Sequence, residues 1–195
     1  MILSNVQIHN ALDAGDIVIS PEPLPRLPSL QQPKSPYDTT AVNLHLSRAL
    51  AVSSTSSPFA FDLRKPGLPN LLNKVYQHHE MDPEGGYSLA PNRFVLGSTN
   101  EAVTLPIKPN RPVYAARVEG RSSFARCGLL VHFTAPTIHA GFSGTITLEI
   151  MNFGQHDIQL FPGIAIAQLI FERVEGTPRR NDSQFHGQTT PAGTS

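Results

Sequence analysis

The chain has 195 residues, 39% of them hydrophobic, and its 15 Lys+Arg are balanced by 15 Asp+Glu. Such a length and apolar share suit one globular unit with a sizeable core, and a zero net charge argues against a nonspecific nucleic-acid binder, because phosphate backbones reward a basic excess. No apolar run reaches the roughly 18 residues of a membrane span, and the single Cys127 excludes both an intrachain disulfide and a CxxC zinc site, which points to a reducing, cytoplasmic setting.

The opening residues, MILSNVQIHNALDAGD, lack a basic segment followed by an apolar core and do not read as a secretory signal. Residues 4–14 predict a short helix instead. Ser4 can cap it, Gln7 stands three residues on as in a capping box, Val6, Ile8, Ala11 and Leu12 give an apolar face, and Gly15 is a natural stop. A brief strand is expected at 17–19. Residues 21–37 carry Pro21, Pro23, Pro25, Pro28, Pro33 and Pro36 and read as an extended surface loop. Val42, Leu44 and Leu46 alternate with Asn43 and His45, the signature of a strand with one buried face. A second helix is predicted over 66–80, around Leu71, Leu72, Val75 and Tyr76.

From Tyr87 onward the pattern is all β. Strands are expected at 93–97, 102–105, 113–118, 129–134, 145–151, 158–160 and 164–172, with Gly or Pro near most joints. Short strands at this spacing argue a sandwich, barrel or jelly roll with one or two short helices. Residues 1–176 are expected to form one domain. The polar stretch 177–195 reads as a tail that cannot fold alone and is either disordered or ordered by a ligand.

Three features bear on chemistry. Arg121, Ser122, Ser123 and Arg126 put two guanidinium groups and two hydroxyls within six residues, a composition suited to phosphate oxygens, although a solvated strand end would read the same way. In GTITLEIMN, Glu149 shares a strand face with Thr145 and Thr147. A carboxylate there is either exposed and inert or half-buried and able to shuttle protons. The histidines show no HxH or HxxxH spacing, so a protein-held transition metal is not expected, and Cys127 reads as a small residue without an adjacent base.

In this order the motifs resemble the trimeric dCTP deaminase branch of the dUTPase superfamily. The densest match is VEGRSSFARCGLLVHFTAPTIHAGFSGTITLEIMN, Val118 to Asn152, continuing through IQLFPGIAIAQLIFE. YSLAPNRFVLGSTNEAVTLP, MILSNVQI and AVNLHL extend it over most of the chain. The resemblance implies a distorted jelly-roll, dUTPase-like β fold and a homotrimer with sites between subunits. It further implies hydrolytic deamination of dCTP to dUTP and ammonia, with Mg2+ carried on the phosphates and no zinc. It casts Glu149 as the catalytic acid/base, Ser122 and Arg126 as its partners, and the carbonyl of Ala135 as a holder of the attacking water. Arg121, Ser122, Ser123 and Arg126 would meet phosphates, Thr147 and Leu148 would offer backbone groups to the base, and Gln184 and Gln188 would belong to a tail that closes over the nucleotide.

Departures accompany the match. His139 stands where the family has an aspartate that contacts the sugar, Ala140 replaces a proline, and Gln184 and Phe185 replace a lysine and a tyrosine. An imidazole still bonds a hydroxyl but reverses the charge logic. Two other readings therefore stand beside the first: a dUTPase or bifunctional deaminase-diphosphatase, and a nucleotide-binding relative without turnover.

Overall fold

The Ser4 hydroxyl and the Gln7 side chain close the first turn of α1 (Asn5–Asp13) as a reciprocal capping box, as the sequence predicts. The structure is a computed structural model and describes residues 1–54, 60–62, 64 and 67–179. Beyond α1, Ile17 and Ile19 are buried, and β1 (Val18–Ser20) pairs with the far end of β5 (Phe94–Thr104). The proline-rich loop is tied back to α1 by Arg26, which bonds Glu22 and Asp13, and it ends on the buried Tyr37.

The alternation at 42–46 extends into a twelve-residue strand, β2 (Val42–Ser53). Around it runs a curled sheet in the order β7 (Leu129–Val131), β9 (Ser143–Asn152), β5, β2, β11 (Ala165–Arg173), β6 (Tyr114–Gly120), β8 (Thr137–Ile138), with every pairing antiparallel. A two-stranded sheet, β4 (Tyr87–Leu89) with β10 (Ile158–Leu160), lies apart from it. The concave side holds one core, in which Leu44, Leu46 and Leu50 meet Ile146, Leu148, Ile150, Leu169 and Phe171. Each such side chain stabilises the fold by about 1.5–3 kcal/mol. The mainly β architecture expected from the sequence is the one observed.

Details differ from the expectation for local reasons. The helix predicted over 66–80 stops at Val75. Residues 68–75 form α2 (Leu68–Val75), and Gln77, His78 and His79 continue as β3 (Tyr76–Glu80), paired to β2. Their run of polar residues offers no helical apolar face, so strand pairing prevails over propensity. The two strands expected at 93–97 and 102–105 are one strand, β5, whose register slips between Ser98 and Ala102. The strand expected at 129–134 ends at Val131, because His132 adopts φ +56.

Three register shifts fall close together: Ser98/Ala102 on β5, Leu46/Leu50 on β2 and Ala165/Ala167 on β11. Bulges of this kind re-aim side chains. Here they turn Glu101 inward against His45.

A second junction brings two backbones into direct contact. β7 leaves Gly128 (φ +88) directly against the end of β9. A Cβ on Gly128 would lie 2.4 Å from the Gly154 nitrogen, and one on Gly154 would lie 2.6 Å from the Cys127 carbonyl oxygen. Asn152, fully buried, completes the joint by donating to the Leu89 and His156 carbonyls and accepting the Gly154 N–H. Gly163 (φ +80) has the same left-handed backbone with nothing within 4 Å. In urea unfolding, Gly163→Ala should therefore lose only about 1–2 kcal/mol. Gly128→Ala should lose clearly more, because the overlapping atoms are backbone; equal losses in the two variants would contradict the tight joint.

Candidate functional site

Along β9 the odd positions Thr145, Thr147 and Glu149 are half-buried, while Ile146, Leu148 and Ile150 are buried. Glu149 therefore stands on the more open face, as its alternation predicts. The segment following β7 folds over it. The His132 backbone N–H donates to the Glu149 carbonyl at 2.9 Å, and the Thr134 hydroxyl donates to Glu149 Oε2 at 3.3 Å. His132 Nε2 lies 2.7 Å from the Ala135 carbonyl oxygen. A carbonyl only accepts, so Nε2 carries the proton, and the buried Nδ1 is left without a partner. The Ala135 carbonyl, expected to hold water, thus already accepts one bond and keeps one lone pair. His132 and Thr134 were not singled out from the sequence as parts of a site.

The segment beginning at Arg121 is not a strand end. Residues 122–125 form a single helical turn, α3 (Ser122–Ala125), with Phe124 and Ala125 N–H groups bonded to the Arg121 carbonyl. Ser122 and Arg126, four residues apart, fall on one side of that turn. Ser122, Ser123 and Arg126 are exposed, and among the described residues their side chains make no hydrogen bond or ion pair. Arg121 is half-buried. Its Nη1 donates to the Ala165 carbonyl at 3.1 Å, and its guanidinium carbon lies 5.8 Å from the Phe124 ring centroid.

α3 feeds β7 at Leu129, which pairs with Asn152, three residues along β9 from Glu149. At strand spacing that is about 10 Å. No hydrogen bond or ion pair among the described residues joins Glu149 to Ser122, Arg121 or Arg126. β7 covers β9 only at 150–152, so beside Leu148 the same edge carries no strand of the described chain. His139 is exposed in the turn entering β9, where its carbonyl accepts the Phe142 N–H at 3.1 Å. Gln184 and Gln188 lie outside the described residues.

One charged pair was missed in the sequence. Glu101, 2% exposed, accepts the His45 backbone N–H at 2.9 Å and faces His45 Nδ1 at 2.6 Å. That hydrogen bond raises the His45 pKa above its ordinary value, against the opposing effects of burial and of the Arg121 charge. Among the described residues no group of three or more His, Cys, Asp or Glu is arranged to hold a metal ion, and no helix is long and apolar enough to cross a membrane.

Comparison with known proteins shows the family and the fold. The chain is 34% identical over 197 residues to a dCTP deaminase, dUMP-forming, of Beutenbergia cavernae, covering 98% of this chain and 92% of that protein. It is 32% identical over 196 residues to a dCTP deaminase of Natronomonas pharaonis, with the same 98% and 92% coverage. The crystal structure of 2'-deoxycytidine 5'-triphosphate deaminase from Agrobacterium tumefaciens superposes with a TM-score of 0.59 at 20% identity over 89% of this chain; the chain spans about half, 47%, of that structure's length. That likeness concerns the fold. The sequence profile of the dCTP deaminase-like family matches residues 2–174. With its strand order, its Arg121–Arg126 turn and its Glu149 strand in place, the chain belongs to the dCTP deaminase-like family.

Proposed function

We propose that this chain hydrolytically deaminates the cytosine ring of dCTP, with Glu149 as the group that moves the protons. The observation that carries the reading is the position of Glu149, half-buried under the 132–135 segment and bonded by Thr134. A carboxylate in this setting can take a proton from water as the oxygen attacks C4. It can then deliver protons to N3 and to the departing amine, so that dCTP and water give dUTP and ammonia. The remaining lone pair of Ala135 is available to orient the water. Ser122 and Arg126 supply a hydroxyl and a fixed positive charge where negative charge develops. Leu148 and Thr147 provide backbone groups for the base edge, and Arg121, Ser123 and the tail glutamines Gln184 and Gln188 serve the phosphates. Magnesium arrives as part of the nucleotide substrate, bound by its phosphates.

The lack of any hydrogen bond or ion pair between Glu149 and the 121–126 side chains among the described residues supports a site shared between copies of the chain, in a closed homotrimer. The tail beyond residue 176 then closes over the nucleotide of that shared site. His139 fits a sugar hydroxyl as a neutral donor or acceptor.

A second reading adds hydrolysis of the phosphate chain. The Beutenbergia relative is named as dUMP-forming, which favours it; the lack of a carboxylate at His139 favours release of dUTP intact. Deamination gives dUTP in either case, and the two readings differ in whether it leaves the site whole. Incubation with dCTP and magnesium, followed by anion-exchange chromatography and an ammonia assay, separates them: dUTP alone for the first, dUMP with pyrophosphate for the second. Ammonia release should fall by at least about a hundredfold in Glu149→Gln, and turnover unchanged in that variant would remove the mechanism. The shared site has its own check. Glu149→Gln and Arg126→Ala chains, each inactive alone, should on coexpression recover about a quarter of wild-type activity from random pairing of neighbours. No recovery would place the site within one chain.

A further inference from the structure

Beside the 121–126 turn stands a histidine that the deamination reading leaves without a task. Glu101 commits both oxygens to His45, one to its backbone N–H and one to Nδ1. The carboxylate only accepts, so Nδ1 carries the proton and Nε2 is the ring's outward atom. The side chain is 31% exposed, and Nε2 has no hydrogen bond among the described residues. Arg121 reaches the same place from another element. Its Nη1 bonds the carbonyl of Ala165, and Ala165 is the β11 residue paired with His45. No carboxylate pairs with Arg121 among the described residues.

Among the described residues the charged groups that act on His45 are Glu101 from β5 and Arg121 from the β6–α3 junction. β11 contributes the neutral carbonyl of Ala165. Once the ring is protonated, an imidazolium on Glu101 and the guanidinium of Arg121, anchored beside it at Ala165, leave positive charge unneutralised. Like charges held side by side are repulsive unless an anion joins them.

We infer that His45 is a second phosphate contact: its Nε2–H and the free N–H groups of Arg121 form a cradle for the polyphosphate of the nucleotide, with Glu101 as the positioning residue. The inference rests on the proposed deaminase reading only for the bearer of the phosphates; the cradle itself would accept inorganic triphosphate. An anion bound there favours the protonated ring, so affinity falls as pH rises through the His45 titration, and by reciprocity the bound anion raises the His45 pKa.

Calorimetric titration of the wild-type protein and of His45→Gln with magnesium triphosphate and with magnesium dCTP, at about pH 6 and about pH 8.5 on either side of a histidine titration, tests this. The wild type should bind triphosphate about tenfold more tightly at the lower pH, the worth of one charged hydrogen bond, and His45→Gln should lose that difference. Titration of the phosphates themselves is common to both proteins and cancels. Equal affinities of the two proteins at both pH values, or no triphosphate binding by the wild type, overturn the cradle. A His45-dependent effect on triphosphate without any dCTP binding keeps the cradle and sinks the deaminase reading. Turnover of dCTP that is indifferent to His45 does the reverse. Should His45→Gln fail to fold, the NMR titration of the His45 ring in the wild type decides: its pKa must rise when triphosphate binds, and an unchanged value overturns the inference.

Discussion

Everything around the candidate site is arranged about a carboxylate that cannot be left alone. Burying an ionised Glu101 costs several kcal/mol unless its oxygens are fully used. The fold meets that demand with two donors from a single residue, His45. To bring Glu101 and His45 together, β5 slips out of register, and β2 and β11 slip beside it. Thr99 closes the irregularity, its hydroxyl donating to the Glu101 carbonyl and accepting the Ile146 N–H. β9 is thereby held to β5 at the point where it enters its run toward Glu149. One buried charge thus fixes the register of the strand that carries the proposed acid/base.

The two halves of the proposed chemistry are mounted differently. Glu149 sits in the middle of a ten-residue strand with neighbours on both sides near it. Ser122 and Arg126 sit on one helical turn at the surface, anchored through Arg121 to β11. A rigid strand suits a group whose proton transfers demand a fixed position, and exposed donors suit a flexible, strongly hydrated polyphosphate. His132, with its positive φ and its bond to Ala135, joins the two by turning the chain from the end of β7 back over the carboxylate.

Much of this was legible in the amino-acid order. Period-two alternation placed Glu149 on the open face of its strand, and the Ser4–Gln7 pair marked the first helix. The family resemblance, carried mostly by Val118 to Asn152, pointed to the family and the fold. What escaped was set by tertiary pairing. β3 is made of polar residues that become a strand only because β2 lies alongside. The break in β5 looked like two strands because a bulge disturbs alternation just as a turn does. The helical turn of α3 is too short to show a period. The His45–Glu101 pair joins residues 56 positions apart, and neither has a neighbour in sequence that announces the other.

The glycine joint between residues 128 and 154 bears on how such a chain can change over generations. Two backbones in contact leave no side chain to shrink in compensation, so neither position has a neighbouring amino acid to step to while the other stays in place. Recombination with a relative faces the same restriction: a crossover between these positions takes the two sides of the contact from different parents. The segment 128–154, which contains the 132–135 loop, His139 and Glu149, is thus inherited most safely as one block. Variation is freer at Gly163, where the turn faces open space.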